Sequence, residues 1–310
     1  MSAIAADRPS TTPPRTRRTV LNRANRMKAV FLIPALIIFG VVVLVPVFVN
    51  FFYSFTDWNG YTSGFDLVGG DNFLRLLGDV DVQKAFVNTL LFTVVNAPIQ
   101  IAVGLVLALS LQRPGRFVAF IRLVVVLPIA ISGVVLGFLG SIVFDPRSGI
   151  LHTLGTVPGL SFLDRNWLGD PSLAMGSVIA MNLWQWSGFT MLIFLAGLAA
   201  IPRELYEAAT LDGAGVWRQF RHVTWPLLAP AATINIVLTV IGGLKIFDII
   251  YVLTGGGPGG ATESIVMRVN AQTSFSQYGY AASTSFTLTI IILAVSLGLL
   301  ALLRKREINA

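Results

Sequence analysis

The stretch Glu207-Ala208-Ala209-Thr210-Leu211-Asp212-Gly213, followed after nine intervening residues by Val223-Thr224-Trp225-Pro226, forms a short polar connection between two long apolar runs. Solvated loop alone has no need of so many small residues between Ala208 and Gly215. Small residues permit close backbone approach, so the segment reads as a docking surface presented by a membrane protein. Pro202 suits the first turn of a short helix, and Glu204 and Glu207 favour the N-terminal half of that helix. Gly213 and Gly215 then stop it. A second short helix fits about 216–222, with Trp217 and Phe220 on one face as an exposed pair of anchors. Such a two-helix knob suits insertion into a partner's groove; the plainer alternative is a loop that packs back on its own bundle.

The rest of the chain is consistent with that setting. Of its 310 residues 55% are hydrophobic and only 12% charged, with mean hydropathy +0.76. A soluble domain carries roughly 25% charged residues, so the composition indicates a polytopic membrane protein. With no cysteine, disulfides, thiol catalysis and Cys-based metal sites are excluded. Residues 1–28 are rich in Arg, Pro, Ser and Thr and read as a disordered basic tail. The apolar run that follows is longer than a signal h-region and has no small-x-small cleavage pattern. Tail and first helix together read as an uncleaved anchor.

A bilayer core of about 30 Å needs roughly 20 apolar residues per helix. Six stretches qualify: about 29–53, 86–111, 117–143, 173–200, 227–252 and 284–303. Pro34, Pro46, Pro98 and Pro128 lie inside them, which membrane helices tolerate. Basic residues set the orientation. Sixteen of the 22 Lys and Arg fall in the N-terminal tail, the connection after the second span, the 201–226 loop and the C-terminal tail 304–310. The three opposite loops hold five basic and nine acidic residues. Both termini and the 201–226 loop are therefore expected in the cytoplasm. The +7 charge belongs to that asymmetry, and no nucleic-acid partner is implied. The opposite loops, about 30 residues each, have room for short helices at the membrane surface, where Trp58 and Trp167 would suit.

Polar side chains within the spans are costly and turn towards the bundle interior. Thr89, Thr93, Asn96 and Gln100 share one face of the second span. Asn182, Gln185 and Trp186 share a face of the fourth, and Asn235 and Thr239 are one turn apart in the fifth. Each alone reads as interhelical hydrogen bonding; together they read as a polar pathway near mid-membrane. Trp184 and Trp186 are candidates to stack on a sugar face, with Asn182 and Gln185 supplying amides. Lys245 and Asp248, three apart, read either as an ion pair holding two charges at depth or as a solute or gate contact. Lys245 is the sole cation at depth to receive a phosphate ester.

Gly255-Gly256-Gly257-Pro258-Gly259-Gly260 satisfies G-x-G-x-x-G literally, but no strand precedes it, so it reads as a tight turn and not a dinucleotide loop. No P-loop, H-E-x-x-H or G-x-S-x-G occurs. His152 and His222 fall on opposite sides and cannot share a metal.

The pattern E-A-A-x3-G followed by Val223-Thr224-Trp225-Pro226 resembles the signature of permease subunits of bacterial binding-protein-dependent ABC importers. The carbohydrate branch, similar to maltose and glycerol-3-phosphate permeases, is resembled in several further places. These are Trp184 through Gly188, Ala196-Gly197-Leu198 and Ile201-Pro202-Arg203-Glu204-Leu205-Tyr206. Phe247-Asp248 with Tyr251-Val252-Leu253-Thr254-Gly255-Gly256-Gly257-Pro258 fits too, as do Pro34, Pro46 and Ser54-Phe55 with Trp58. Val223 and Trp225 depart from the usual Ile and Leu, and His152 stands where relatives often have Asn.

The resemblance implies an all-α fold of six transmembrane helices with type I importer architecture, over 29–303. It implies that the 203–222 segment is a coupling helix seated in an ATPase subunit. Glu207 would be the acidic residue at that joint, Ala208, Ala209 and Gly213 would give clearance, and Trp217, Phe220 and Pro226 would shape the contact. It further implies a second, related permease, a pair of ATPase subunits holding ATP and Mg, and an extracytoplasmic binding protein that delivers the solute. This chain would bind no cofactor, catalyse no reaction, and reside in the bacterial cytoplasmic membrane among its lipids. A secondary carrier and a non-transporting scaffold are the competing readings.

Overall fold

The computed structural model describes residues 32–62 and 64–307, with side chains to 304. The tail expected at 1–28 and the last three residues lie outside the described residues. The chain divides into two units, Met1–Phe52 and Tyr53–Ala310. The first contains nearly all of α1, Leu32–Tyr53. At 1.5 Å per residue its 22 residues can cross a hydrocarbon core. A π turn at Gly40–Leu44 has a local cause. Pro46 has no N–H for the Val42 carbonyl, and its ring crowds that carbonyl.

The second unit is helical throughout, and no strand forms among the described residues; Thr56 and Leu67 make one isolated bridge. A short α2 (Asp71–Gly78) leads into the long α3 (Val80–Ser110), whose N-cap Asp79 accepts from the Asp81 and Val82 amides. α4 (Arg116–Ala130) and α5 (Gly133–Val143) follow, bent by 104°. After a short α6 (Ile150–Gly155) come α7 (Pro171–Ala199) and α8 (Arg203–Leu211). α9 (Val216–Leu227) and α10 (Ala229–Leu244) meet at 65°. The chain ends with α11 (Asp248–Leu253), α12 (Ile265–Ser274) and α13 (Tyr278–Glu307).

α3 and α7 pack along their length, and α10 crosses both. Three apolar clusters hold them. Towards the α8–α9 end, Ala108, Met191, Phe194 and Leu228 interlock. Phe92, Leu136, Val178 and Ile250 fill the middle and far part. Leu76, Val82, Ile265, Tyr280 and Leu288 seal α2 and α12 against α13 at the far end. α1, α3, α7 and α13 are each long and apolar enough to cross a membrane, and each bent pair adds one more span, giving up to six among the described residues.

Two of the six stretches are not straight helices. The third breaks at Ile131–Ser132, where both residues turn extended. Pro128 tightens the preceding turn into a 3₁₀ segment, Leu127–Ala130. Ser132 then caps α5 by accepting from the Val135 amide, and Gln185 Nε2 donates to the Ile131 carbonyl freed at the break, 2.8 Å away. The fifth stretch ends at Leu244 instead of about 252, and its remainder is the separate α11. The sixth starts earlier, at Tyr278, and runs through Glu307. The opposite loops do hold short helices, α2, α6 and α12.

Candidate functional site

The breaks in the third and fifth stretches open a cavity of about 450 Å³ between α3, α5, α7, α10 and α11. Nine of the twelve polar and aromatic side chains singled out for a pathway line it: Asn96, Gln100, Asn182, Gln185, Trp186, Asn235, Thr239, Lys245 and Asp248; Thr89 and Thr93 do not, and donate instead to the Ala85 and Thr89 carbonyls of α3. Trp184 does not line it either. At 100° per residue it lies roughly 200° around α7 from Asn182, on the opposite face, and it is 49% exposed. Gly133, Phe189 and Phe247 line the cavity as well. Phe247 and Gly133 stand at helix breaks, which averaged hydropathy does not register.

The lining has two parts with different chemistry. The floor is a buried network joining three helices. Asn96 Nδ2 donates to Gln100 Oε1 (3.1 Å), and Gln100 Nε2 donates to Thr190 Oγ1 (3.0 Å) and more weakly to Thr239 Oγ1 (3.4 Å). Asn235 Nδ2 points at the Thr190 carbonyl, 3.4 Å away. Gln185 is committed to the break at Ile131. These amides mostly satisfy one another, as buried polar groups must.

The rim consists of Asn182, Phe189 and Phe247, all half-buried, and of Trp186, Lys245 and Asp248, which are exposed. Of the two readings of Lys245 and Asp248, the ion pair is not formed: their N and O atoms lie beyond 4 Å. The chain between them is the break itself. Lys245 is the C-cap of α10 and Asp248 the first residue of α11, so each charge sits at the helix end whose dipole favours it. Asp248 also rests on Gly133, the first residue of α5. A Cβ on Gly133 would meet Asp248 Cβ at 2.7 Å and Oδ2 at 3.3 Å, so a side chain there would displace the carboxylate.

At the opposite end of the second unit, α8 and α9 form the two-helix knob. Pro202 is the N-cap of α8 and not its first helical residue. Gly213 has φ +73, the left-handed conformation that ends such a helix, with Ala214 N–H donating to the Ala209 carbonyl. The second helix does not stop near 222. It passes through a π turn, Phe220–Thr224, and continues past Pro226 to Leu227. Pro226 explains this turn as Pro46 does the first, with His222 the orphaned carbonyl.

Glu207, Ala208 and Gly213 are exposed, Ala209 and Pro226 half-buried, and Trp217 is 71% exposed. Phe220 is half-buried and not a free anchor. It stacks on Trp217 (centroids 5.6 Å) and leans on Trp225. Tyr206 Oη and Thr224 Oγ1, 3.0 Å apart, tie α8 to the π turn. Sequence reading did not anticipate that strut, because its partners are 18 residues apart and unremarkable singly.

Nor was the far-end joint legible. Arg268 pairs with Asp81 and reaches Glu263 (3.6 Å), Tyr280 Oη donates to Asp79 (2.8 Å), and Asn88 donates to the Gly260 and Glu263 carbonyls. The turn at 255–260 is thereby fastened to α3. Partial burial alone would raise the Asp79 carboxyl. The Tyr280 hydroxyl, the Val82 and Asp81 amides and the nearby Arg268 charge outweigh it and hold the group below the usual carboxylate range. His152 and Asp164 pair at 2.8 Å on the surface, and no cluster of metal-ligating side chains occurs among the described residues.

Residues 100–307 match the family described as binding-protein-dependent transport system inner membrane component. A probable ABC transporter permease of Pyrococcus horikoshii is 38% identical, over 86% of this chain and 92% of its own. The multiple sugar-binding transport system permease of Streptococcus mutans is 35% identical over 90% and 95%. The trehalose/maltose transport system permease of Thermococcus litoralis is 31% identical over 89% and 92%. Among solved structures, a bacterial ABC transporter involved in import of the acidic polysaccharide alginate aligns with TM-score 0.77, over 93% of this chain and 99% of that one. At 21% identity this likeness establishes the fold, that of a type I importer permease. The chain belongs to the family of binding-protein-dependent transport system inner membrane components, as a multi-pass permease subunit of an ATP-driven importer and not an enzyme.

Proposed function

We propose that this chain translocates a sugar or sugar-like solute through the cavity between α3, α5, α7, α10 and α11. The observation that carries this reading is the rim. An exposed indole, an amide and two unpaired charges face a space of about 450 Å³, within the range of small-molecule sites. Trp186 offers a ring face to a pyranose, and Asn182, Lys245 and Asp248 offer donors and acceptors to hydroxyls. The named relatives that transport maltose, trehalose and multiple sugars support a carbohydrate solute.

The assembly we propose has this chain beside a second, homologous permease, above a pair of ATPase subunits that hold ATP and Mg, and below an extracytoplasmic binding protein. The chain itself binds no cofactor. The domain is one permease body over 29–303, with 201–226 as the coupling loop and both termini cytoplasmic; the sixteen-to-five split of basic residues supports that orientation. The α8–α9 knob seats in the ATPase. Glu207, Ala208, Ala209 and Gly213 form its contact, with Trp217 and Phe220 as a stacked aromatic step and Pro226 setting the turn behind them. ATP-driven closure of the ATPases moves the knob, and the Tyr206–Thr224 strut carries the motion into α9 and α10.

The test is uptake by the full transporter in proteoliposomes with its binding protein. Glu207→Lys should abolish ATP-dependent uptake while the complex still inserts. Uptake that survives Glu207→Lys, or survives without the ATPase and collapses with the proton gradient, refutes the coupled reading.

A further inference from the structure

The cavity described above contains one cation and one anion, and they do not meet. Lys245 and Asp248 both face the space, three residues apart, with no oppositely charged atom within 4 Å of either among the described residues. No other Lys, Arg, Asp or Glu lines it. Both side chains are exposed to the cavity, and fixed dipoles can favour charges that no partner holds. Here the helix ends serve. Lys245 closes the C-terminus of α10, and Asp248 opens α11 while resting on the N-terminal residue of α5. The site is therefore electrically balanced before any solute enters.

Charge decides which solute fits. The N-terminus of α5, facing the cavity at Gly133, is where an incoming anion would seek amide hydrogens and a positive dipole end. The Asp248 carboxylate lies beside that end, with Oδ2 3.3 Å from where a Cβ on Gly133 would stand. An entering carboxylate, sulfonate or phosphate would meet that negative charge at close range, with a single ammonium to offset it. An uncharged polyol meets no such opposition. One hydroxyl donates to Asp248, another accepts from Lys245, and both charges gain the hydrogen bonds they lack. The Trp186 ring is exposed beside them to cover an apolar sugar face.

We infer that Lys245 and Asp248 make the cavity selective for uncharged polyhydroxylated solutes and against anionic sugars and sugar phosphates. This rests on the reading of the cavity as the solute site and narrows its substrate class. The selection acts within the membrane, independently of what the binding protein accepts.

The experiment is saturation-transfer NMR on the whole transporter in nanodiscs, with the binding protein left out. The probes are matched pairs that differ at one carbon: the methyl glycosides of glucose, galactose and mannose, and the corresponding methyl uronides. The neutral member of at least one pair should bind about tenfold more tightly than its acid. Asp248→Asn should bring the acid up towards the neutral sugar, and Lys245→Gln should weaken both. An acid that binds wild type as well as its neutral partner overturns the selectivity and leaves the sugar site standing. So does a neutral preference unchanged in both variants. If no pair binds while the particles still hydrolyse ATP, the sugar reading of the cavity falls, and this inference with it.

Discussion

Gln100→Leu separates the floor of the cavity from its rim. The Gln100 side chain makes two good hydrogen bonds, to Asn96 (3.1 Å) and Thr190 (3.0 Å), and one marginal one to Thr239 (3.4 Å). Interhelical hydrogen bonds within membranes average about 0.6 kcal/mol and reach about 1.7. The Asn96 bond lies within α3, so the interhelical loss is the Thr190 bond and part of the Thr239 bond, and with the Asn96 amide counted the total is about 1–3 kcal/mol. The upper end applies because Asn96 Oδ1 already lacks a partner, so the substitution strands the whole Asn96 amide. Leucine is close in size, which limits any cavity term. The expected result is a lower melting temperature for the detergent-solubilised complex, or unfolding favoured about 5- to 150-fold in a steric-trapping assay. Uptake per folded complex should stay within about twofold of wild type. The reasoning is refuted if stability is unchanged while uptake is lost, because Gln100 would then be touching solute and not holding α3 to α7.

Trp186→Ala should lower uptake about tenfold, equivalent to about 1.4 kcal/mol, whereas Trp184→Ala should leave the apparent affinity for solute unchanged; concentration series on both variants in one preparation make the comparison. At Gly213 the backbone, not the space, is the constraint, since φ is +73 and nothing lies within 4 Å of an added Cβ. Gly213→Asn should therefore keep near-normal uptake, while Gly213→Val costs at least about 1–2 kcal/mol in the left-handed region and should disrupt coupling, seen as ATP hydrolysis that no longer drives uptake. Equal loss in both variants would mean that the partner needs bare glycine there. Tyr206→Phe removes the Thr224 bond and should lower the ratio of solute moved to ATP hydrolysed, with little change in assembly measured by co-purification.

The long apolar stretches were legible because about 20 consecutive apolar residues have few other uses in a chain this poor in charge. The face shared by Asn182, Gln185 and Trp186 was legible from helical spacing, and the same spacing argues against Trp184, whose indole chemistry alone had recommended it. The breaks at Ile131 and after Leu244 were not legible. Pro128 announces an irregularity, but whether the helix only kinks there or breaks three residues on depends on who satisfies the Ile131 carbonyl that the break frees. Here that is Gln185, 54 residues away. The segment from Lys245 to Leu253 is apolar enough to extend the fifth span, and only tertiary packing shows α11 turned against α5. The open Lys245–Asp248 pair follows from that break: three apart on a continuous helix they would be neighbours. Phe220 shares a face with Trp217 as the spacing indicates, but spacing does not show that it is half covered there, stacked on Trp217 and leaning on Trp225.

The absence of cysteine from the sequence makes the decisive measurement direct. A single cysteine at Trp217, in the assembled transporter, can be probed with a membrane-impermeant maleimide and with a short cross-linker to the ATPase. If the knob seats in the ATPase, Trp217→Cys reacts only in inside-out vesicles, is shielded when the ATPase is bound, and cross-links to it in an ATP-dependent manner. Labelling from the outside of intact cells, or a cysteine that stays fully reactive and uncross-linked in the complete assembly, contradicts the account.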